Sequence, residues 1–139
     1  MNLEKEELYL NPGIFIAKSE IHRWGVFTDQ DIKAYDVIQE APYCTFPAKE
    51  LKKSDIVVRY SYSSDGVSDQ VDECVIGFGF APLYNHDSEN FNCAYELDVV
   101  NEVMRHYALE DIPAGSELTL DYGVGEDWGE DDYWATKLR

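Results

Sequence analysis

The chain has 139 residues, 45% hydrophobic and 14% aromatic, enough for one domain to bury about two-thirds of its unfolded surface without disulfide staples. Eleven Lys and Arg against 28 Asp and Glu give a formal charge of −17, which repels nucleic-acid phosphates and draws basic partners. No run of about 18 apolar residues occurs, and the opening MNLEKEELYL is too charged for a signal peptide, so neither a membrane span nor a leader is expected.

In chain order, Ile14 to Lys18 and Gly25 to Thr28 read as strands flanking the turn SEIHRW, and Val37 to Glu40 follows the turn AYD. After Pro47, AKELKKS predicts a helical turn or two. Val57 to Ser61 and Cys74 to Phe80 are β-branched or aromatic runs bounded by Asp, Gly and Ser. Gly77-Phe78-Gly79 lacks the following helix of a phosphate cradle and marks backbone crowding in a strand. YELDVV and VMRHYALEDI form a hairpin about Asn101-Glu102, and Pro113-Ala114-Gly115 turns the chain into ELTLDY. Ten tyrosines point to rings with one wet end. No long amphipathic helix, internal repeat or linker is evident, so the prediction is a mostly β chain of short strands. Cys44, Cys74 and Cys93 are odd in number and widely spaced, against a disulfide framework or a zinc site and in favour of a reducing, intracellular setting.

Three segments carry the chemistry. KSEIHRWGVFT centres on Trp24-Gly25-Val26-Phe27, YNHDSENFNC places Asn85 beside His86 with Asn92 beyond, and EDIPAGSELTLDYG ends at Tyr122-Gly123. In this order and spacing they resemble the SET-domain protein lysine methyltransferases, from about Gly13 to Gly123. The short length, the GFGF run and the ending DDYW look like the compact viral SET proteins in particular. The resemblance implies several small curved sheets and a knot-like threading of the C-terminal segment, which would make Asn85, His86 and Tyr122 neighbours. It divides the chain into an N-terminal extension (1–12), the SET domain (13–123) and an acidic, aromatic lid segment (124–139).

The same resemblance implies S-adenosylmethionine as cofactor, held around Arg23, Trp24 and Gly25, by the side chain of Asn85, by the backbone of His86 and by Trp134. An amide offers a donor and acceptors to the amine and carboxylate of the methionine moiety. Gly25 would remove a side chain where the ligand approaches. Tyr122 is the expected catalytic residue, because methyl transfer to an amine is an in-line displacement that needs alignment rather than a protein nucleophile. Tyr84, Leu120, Trp128 and Tyr133 are expected to line a lysine channel, with Leu120 standing where many relatives carry Phe or Tyr. Asp121 is expected to be structural, and no metal is expected. Four departures stand out: Arg23 and Tyr35 where many members have Gly, Phe91 where Pro is common, and no cysteine cluster after Tyr122-Gly123.

The implied partner is a basic protein or peptide such as a histone tail, which would place the chain in the nucleus. A homodimer, as in compact viral relatives, is also implied; direct nucleic-acid or membrane binding is not. Two other readings stand beside this one. One is a SET-like module without catalysis that binds basic peptides through its acidic face; the other is an acidic DNA mimic, which leaves the three motifs unexplained.

Overall fold

In the computed structural model, which describes residues 7–47, 49, 60–63 and 73–122, nine strands form where β-branched and aromatic residues run between turn residues. They are β1 (Ile14–Lys18), β2 (Trp24–Thr28), β3 (Val37–Pro47), β4 (Tyr62–Ser63), β5 (Glu73–Gly77), β6 (Asn85–His86), β7 (Cys93–Asp98), β8 (Val103–Ala108) and β9 (Glu117–Leu120). A 3-10 turn, Ala81–Leu83, precedes β6. One sheet has the order β1-β2-β9-β6 and the other β4-β5-β3-β8-β7. The mostly β expectation holds.

Differences from the sequence reading have local causes. β3 continues past Glu40 because Pro42, which lacks an N–H, still pairs with Val103 and accepts from Phe78 N through its carbonyl. β5 stops at Gly77 rather than Phe80, because Gly79 takes φ +64° and the chain enters the 3-10 turn. A Cβ on Gly77 would lie 2.8 Å from both Ala81 Cβ and Met104 Sδ, so the expected crowding is present. Most of AKELKKS, and Val57 to Arg59, lie outside the described residues.

Residues of the expected N-terminal extension bond to β3: Glu40 N donates to Tyr9 O (2.7 Å) and Asn11 N to Ile38 O (2.9 Å). Although the sequence shows no repeat, two turns pair reciprocally. Ile32 and Ile112 exchange backbone hydrogen bonds of 2.8 Å. Asp111 Oδ1 accepts from Ala34 N, and Asp31 Oδ1 from Ala114 N, both at 2.9 Å. Tyr35 (φ +70°) and Gly115 (φ +90°) then occupy equivalent left-handed positions. That conformation is why glycine is natural at Tyr35, and the side chain tolerates it by standing 75% exposed.

The core lies between the sheets and includes Val26, Ile38, Val75, Met104, Ile112 and Leu118, all essentially inaccessible. β8 alternates strictly, turning Met104, His106 and Ala108 inward. His106 is thus wholly buried, and desolvation holds its imidazole down at about 3 from the usual 6.5. The unfolded chain takes up a proton there below about pH 6.5, while the folded chain does not until about pH 3. Stability present at neutral pH is therefore lost as pH falls through this window, by up to about 1.4 kcal/mol per pH unit. We expect His106→Phe to flatten this acid limb in denaturant titrations between pH 6 and 4; equal slopes in the two proteins would show that His106 is not the linked group.

Candidate active site

β9 lies between β2 and β6, and this placement assembles the site. It pairs antiparallel with β2 through Val26↔Leu118 and Phe27↔Glu117. On its other edge it pairs in parallel with β6 through Asn85↔Thr119 and His86↔Leu120. The three sequence motifs meet here. Asn92 strengthens the joint from a third side, because its amide copies a backbone ladder. Its Oδ1 accepts from Thr119 N and its Nδ2 donates to Glu117 O, both at 2.9 Å.

Asn85 is 5% exposed, and its amino group faces four acceptors: Ser19 Oγ, His22 O and Trp24 O at 3.1 Å and Glu117 Oε2 at 2.8 Å. Two hydrogens are shared among four oxygens. Its own Oδ1 accepts from no other group among the described residues. Ser19 Oγ donates to Glu117 Oε1 (2.7 Å) and accepts from Ile21 N (2.9 Å), closing the turn over residues 19–24. Arg23 sits in that turn at φ +38°, a conformation that explains the glycine of other members. Gly25 also answers a constraint within the protein. A Cβ there would lie 2.3 Å from Glu117 Oε2 and 3.1 Å from Asn85 Nδ2, so its vacant side fills with the clamp.

His86 Nδ1 accepts from Tyr122 N (2.9 Å), which puts the ring proton on Nε2, and the two rings stand 5.0 Å apart. Asp121 Oδ1 is 3.9 Å from the same nitrogen. The Tyr122 hydroxyl donates to the Tyr84 carbonyl. Beside it is a small cleft lined by Tyr60, Ser61, Tyr62, Ala81, Pro82, Tyr84 and Tyr122. The Tyr62 hydroxyl donates to Ala81 O, so tyrosines hold both ends of the ribbon that forms one wall. The Tyr84 ring packs into the core, 1% exposed, with its hydroxyl on Gln39 Oε1 (3.0 Å). Burial pushes the Tyr62 and Tyr84 phenols well above the usual 10, so both stay protonated donors. Leu120 is equally buried, at 1%. Trp24 is 45% exposed, with Lys18 Nζ 4.0 Å from its ring centroid. Trp128, Tyr133 and Trp134 lie outside the described residues. Among the described residues no group of His, Cys, Asp and Glu could hold a metal.

Sequence reasoning missed Ser19, Glu117 and Tyr62. Ser19 had a signal, since it opens the turn SEIHRW where a hydroxyl caps free N–H groups. Glu117 had none, because its role depends on the register of β9 against β2.

The SET domain family model matches residues 23–123. The histone-lysine N-methyltransferase, H3 lysine-4 specific, of Aspergillus oryzae is 30% identical over 125 residues, covering 84% of this chain and 10% of that protein. The protein of the same description from Eremothecium gossypii is 32% identical over 118 residues, 78% of this chain and 12% of that one. Among solved structures, a Plasmodium falciparum protein provisionally described as a histone methyltransferase superposes with a TM-score of 0.65 at 25% identity, covering 84% of this chain and 98% of that one. CpSET8 from Cryptosporidium gives 0.61 at 23% identity, covering 81% and 58%. The chain belongs to the SET domain family. It spans about a tenth of the length of the curated relatives it matches.

The clamp makes a testable claim. Glu117→Ala removes an acceptor from Asn85 and from Ser19, and should cost about 1–3 kcal/mol of stability. Amide hydrogen exchange should also rise across residues 19–24; protection unchanged there in a folded variant would free the turn from Glu117.

Proposed function

We propose that this chain is an S-adenosylmethionine-dependent protein-lysine N-methyltransferase acting on a basic protein, with a histone tail as the leading candidate. The observation that supports the reading best is the parallel pairing of β6 with β9, which brings His86, next to Asn85, against Tyr122, a residue of the aromatic cleft.

The donor set fits the cofactor. Asn85 Oδ1 is an acceptor that no other group among the described residues engages, the Lys18 ammonium lies over the Trp24 ring, and Trp24 is half exposed. An ammonium acceptor, a carboxylate partner and an aromatic surface suit an amino acid joined to a nucleoside. When bound, the cofactor supplies an electrophilic methyl on a sulfonium. Asn85, Trp24 and the turn around Arg23 and Gly25 would hold its polar groups, with the His86 backbone toward the adenine; Trp134 is proposed on resemblance alone.

Tyr122 aligns the nucleophile. Its hydroxyl proton is given to the Tyr84 carbonyl, so toward an incoming amine N–H the oxygen would act as acceptor. That amine must be neutral. With a reference pKa of about 10.4, roughly one lysine in a few thousand is deprotonated at pH 7, a handicap of about 4.6 kcal/mol. A narrow cleft walled by Tyr60, Tyr62 and Tyr84 shortens that gap by withdrawing water from the ammonium. The charge of −17 favours encounter with a substrate rich in Lys and Arg.

Incubation with labelled cofactor and core histones, followed by mass spectrometry of the products, tests the whole reading. Methyl-lysine is the expected product; peptide binding without transfer would instead favour a non-catalytic module. Asn85→Ala should abolish measurable binding of S-adenosylhomocysteine in a folded protein, since an unpaired polar group costs about 1–3 kcal/mol. Unchanged affinity by calorimetry would remove Asn85 from the cofactor site. Tyr122→Phe should bind cofactor normally yet transfer methyl slowly, and single-turnover rates within a factor of about two of the parent would end its catalytic assignment.

A further inference from the structure

We propose that His106, a residue of the core, is a positioning residue for the cleft at Tyr122, acting through Tyr62 and Tyr84. In its kinetic consequence the proposal rests on the methyltransferase reading; in its geometry it does not.

His106 is wholly buried on β8, and Nε2 lies 3.2 Å from the Tyr62 hydroxyl. That hydroxyl has one proton, and it is given to Ala81 O. The bond between the two rings must then run from His106 N–H to the Tyr62 oxygen, which fixes the Nε2–H tautomer. Nδ1 is left bare, buried and without a hydrogen-bond partner among the described residues. The same imidazole stacks on Tyr84, with centroids 4.3 Å apart and planes 11° from parallel. Tyr62 and Tyr84 both line the cleft, and the Tyr84 carbonyl receives the Tyr122 hydroxyl. One side chain therefore braces two walls of the cleft from behind.

An apolar residue would fill this position without stranding a polar atom, so packing alone does not account for an imidazole here. What histidine adds is a donor behind Tyr62. With it, the Tyr62 oxygen receives one hydrogen bond and makes another, and the ring cannot swing away from Ala81 without breaking both. The cleft keeps its width, and an inserted lysine stem meets a wall already in place, which lowers the ordering cost of binding.

The test has two arms on the full chain. In long-range proton–nitrogen correlation spectra, His106 should show the Nε2–H tautomer, and Tyr62→Phe should shift its Nε2 resonance. An Nδ1–H tautomer, or an Nε2 blind to Tyr62→Phe, overturns the proposal whatever the protein catalyses. In the kinetic arm, His106→Phe keeps the stacked ring but loses the donor. KM for a lysine peptide should rise about 3–10-fold, the worth of one hydrogen bond, while S-adenosylhomocysteine affinity is unchanged. Tyr62→Phe should give a similar rise, and the double variant no more than either alone. His106→Gln, which retains a donor, should recover part of the loss. A KM unchanged in folded His106→Phe, or additive effects in the pair, overturns the positioning role. Should the parent protein bind peptide without turnover, peptide Kd reads the same cycle, and the failure then falls on the catalytic reading alone.

Discussion

Two residues of parallel pairing, Asn85 on Thr119 and His86 on Leu120, bear the weight of this site. So short a ladder has little stability of its own, and side chains supply the rest. The Asn92 amide extends the backbone pattern on β9. The Asn85 amide then draws the turn after β1 onto the same strand through the carbonyls of His22 and Trp24. Glu117 stands at the centre, and its carboxylate is tolerable at that depth because Asn85 and Ser19 both donate to it. Gly25 is what lets the carboxylate in. Turn, strand and Asn-His pair are therefore a single unit, and each is held mainly by the other two.

Behind the cleft, polar groups are buried in the same spirit. Gln39 takes the Tyr84 hydroxyl, and His106 stacks on the Tyr84 ring. An aromatic wall made only of apolar contacts could repack among several rotamers, whereas hydrogen bonds at ring tips select one. Tyrosine suits this position because its apolar body fills the core while its hydroxyl reaches a carbonyl at the rim.

Much of this was legible in the sequence. β1 and the β7–β8 hairpin follow from alternation and turn residues, and three motifs in order identified the family. Arg23 and Tyr35 were legible as departures, and the structure gives their reason, since both adopt positive φ where glycine is natural. Glu117 was not legible, because a carboxylate on a strand end resembles any solvated residue until the register of β9 against β2 is known. Tyr84 was expected on resemblance to line a lysine channel; it lines the cleft beside Tyr122, with its carbonyl receiving the Tyr122 hydroxyl, but its bond to Gln39 was not legible. Alternation along β8 does place His106 inward, but no periodicity says that an inward histidine should touch Tyr62, 44 residues earlier. The aromatic residues expected to close the site lie beyond Tyr122, outside the described residues.

The order of the strands has a consequence in time. β6 leaves the ribosome before its partner, and the two halves of the pair lie 34 residues apart (119 − 85). At about 5–20 residues per second, translation needs roughly 2–7 s to cover that distance. The β7–β8 hairpin is complete within the interval and can join β3 on local and middle-range contacts. Throughout it, the Asn-His strand has an open edge and the turn at residues 19–24 lacks its carboxylate. Within residues 7–122 the clamp is thus among the last joints to close, and until Glu117 has emerged most of the second sheet can stand without it.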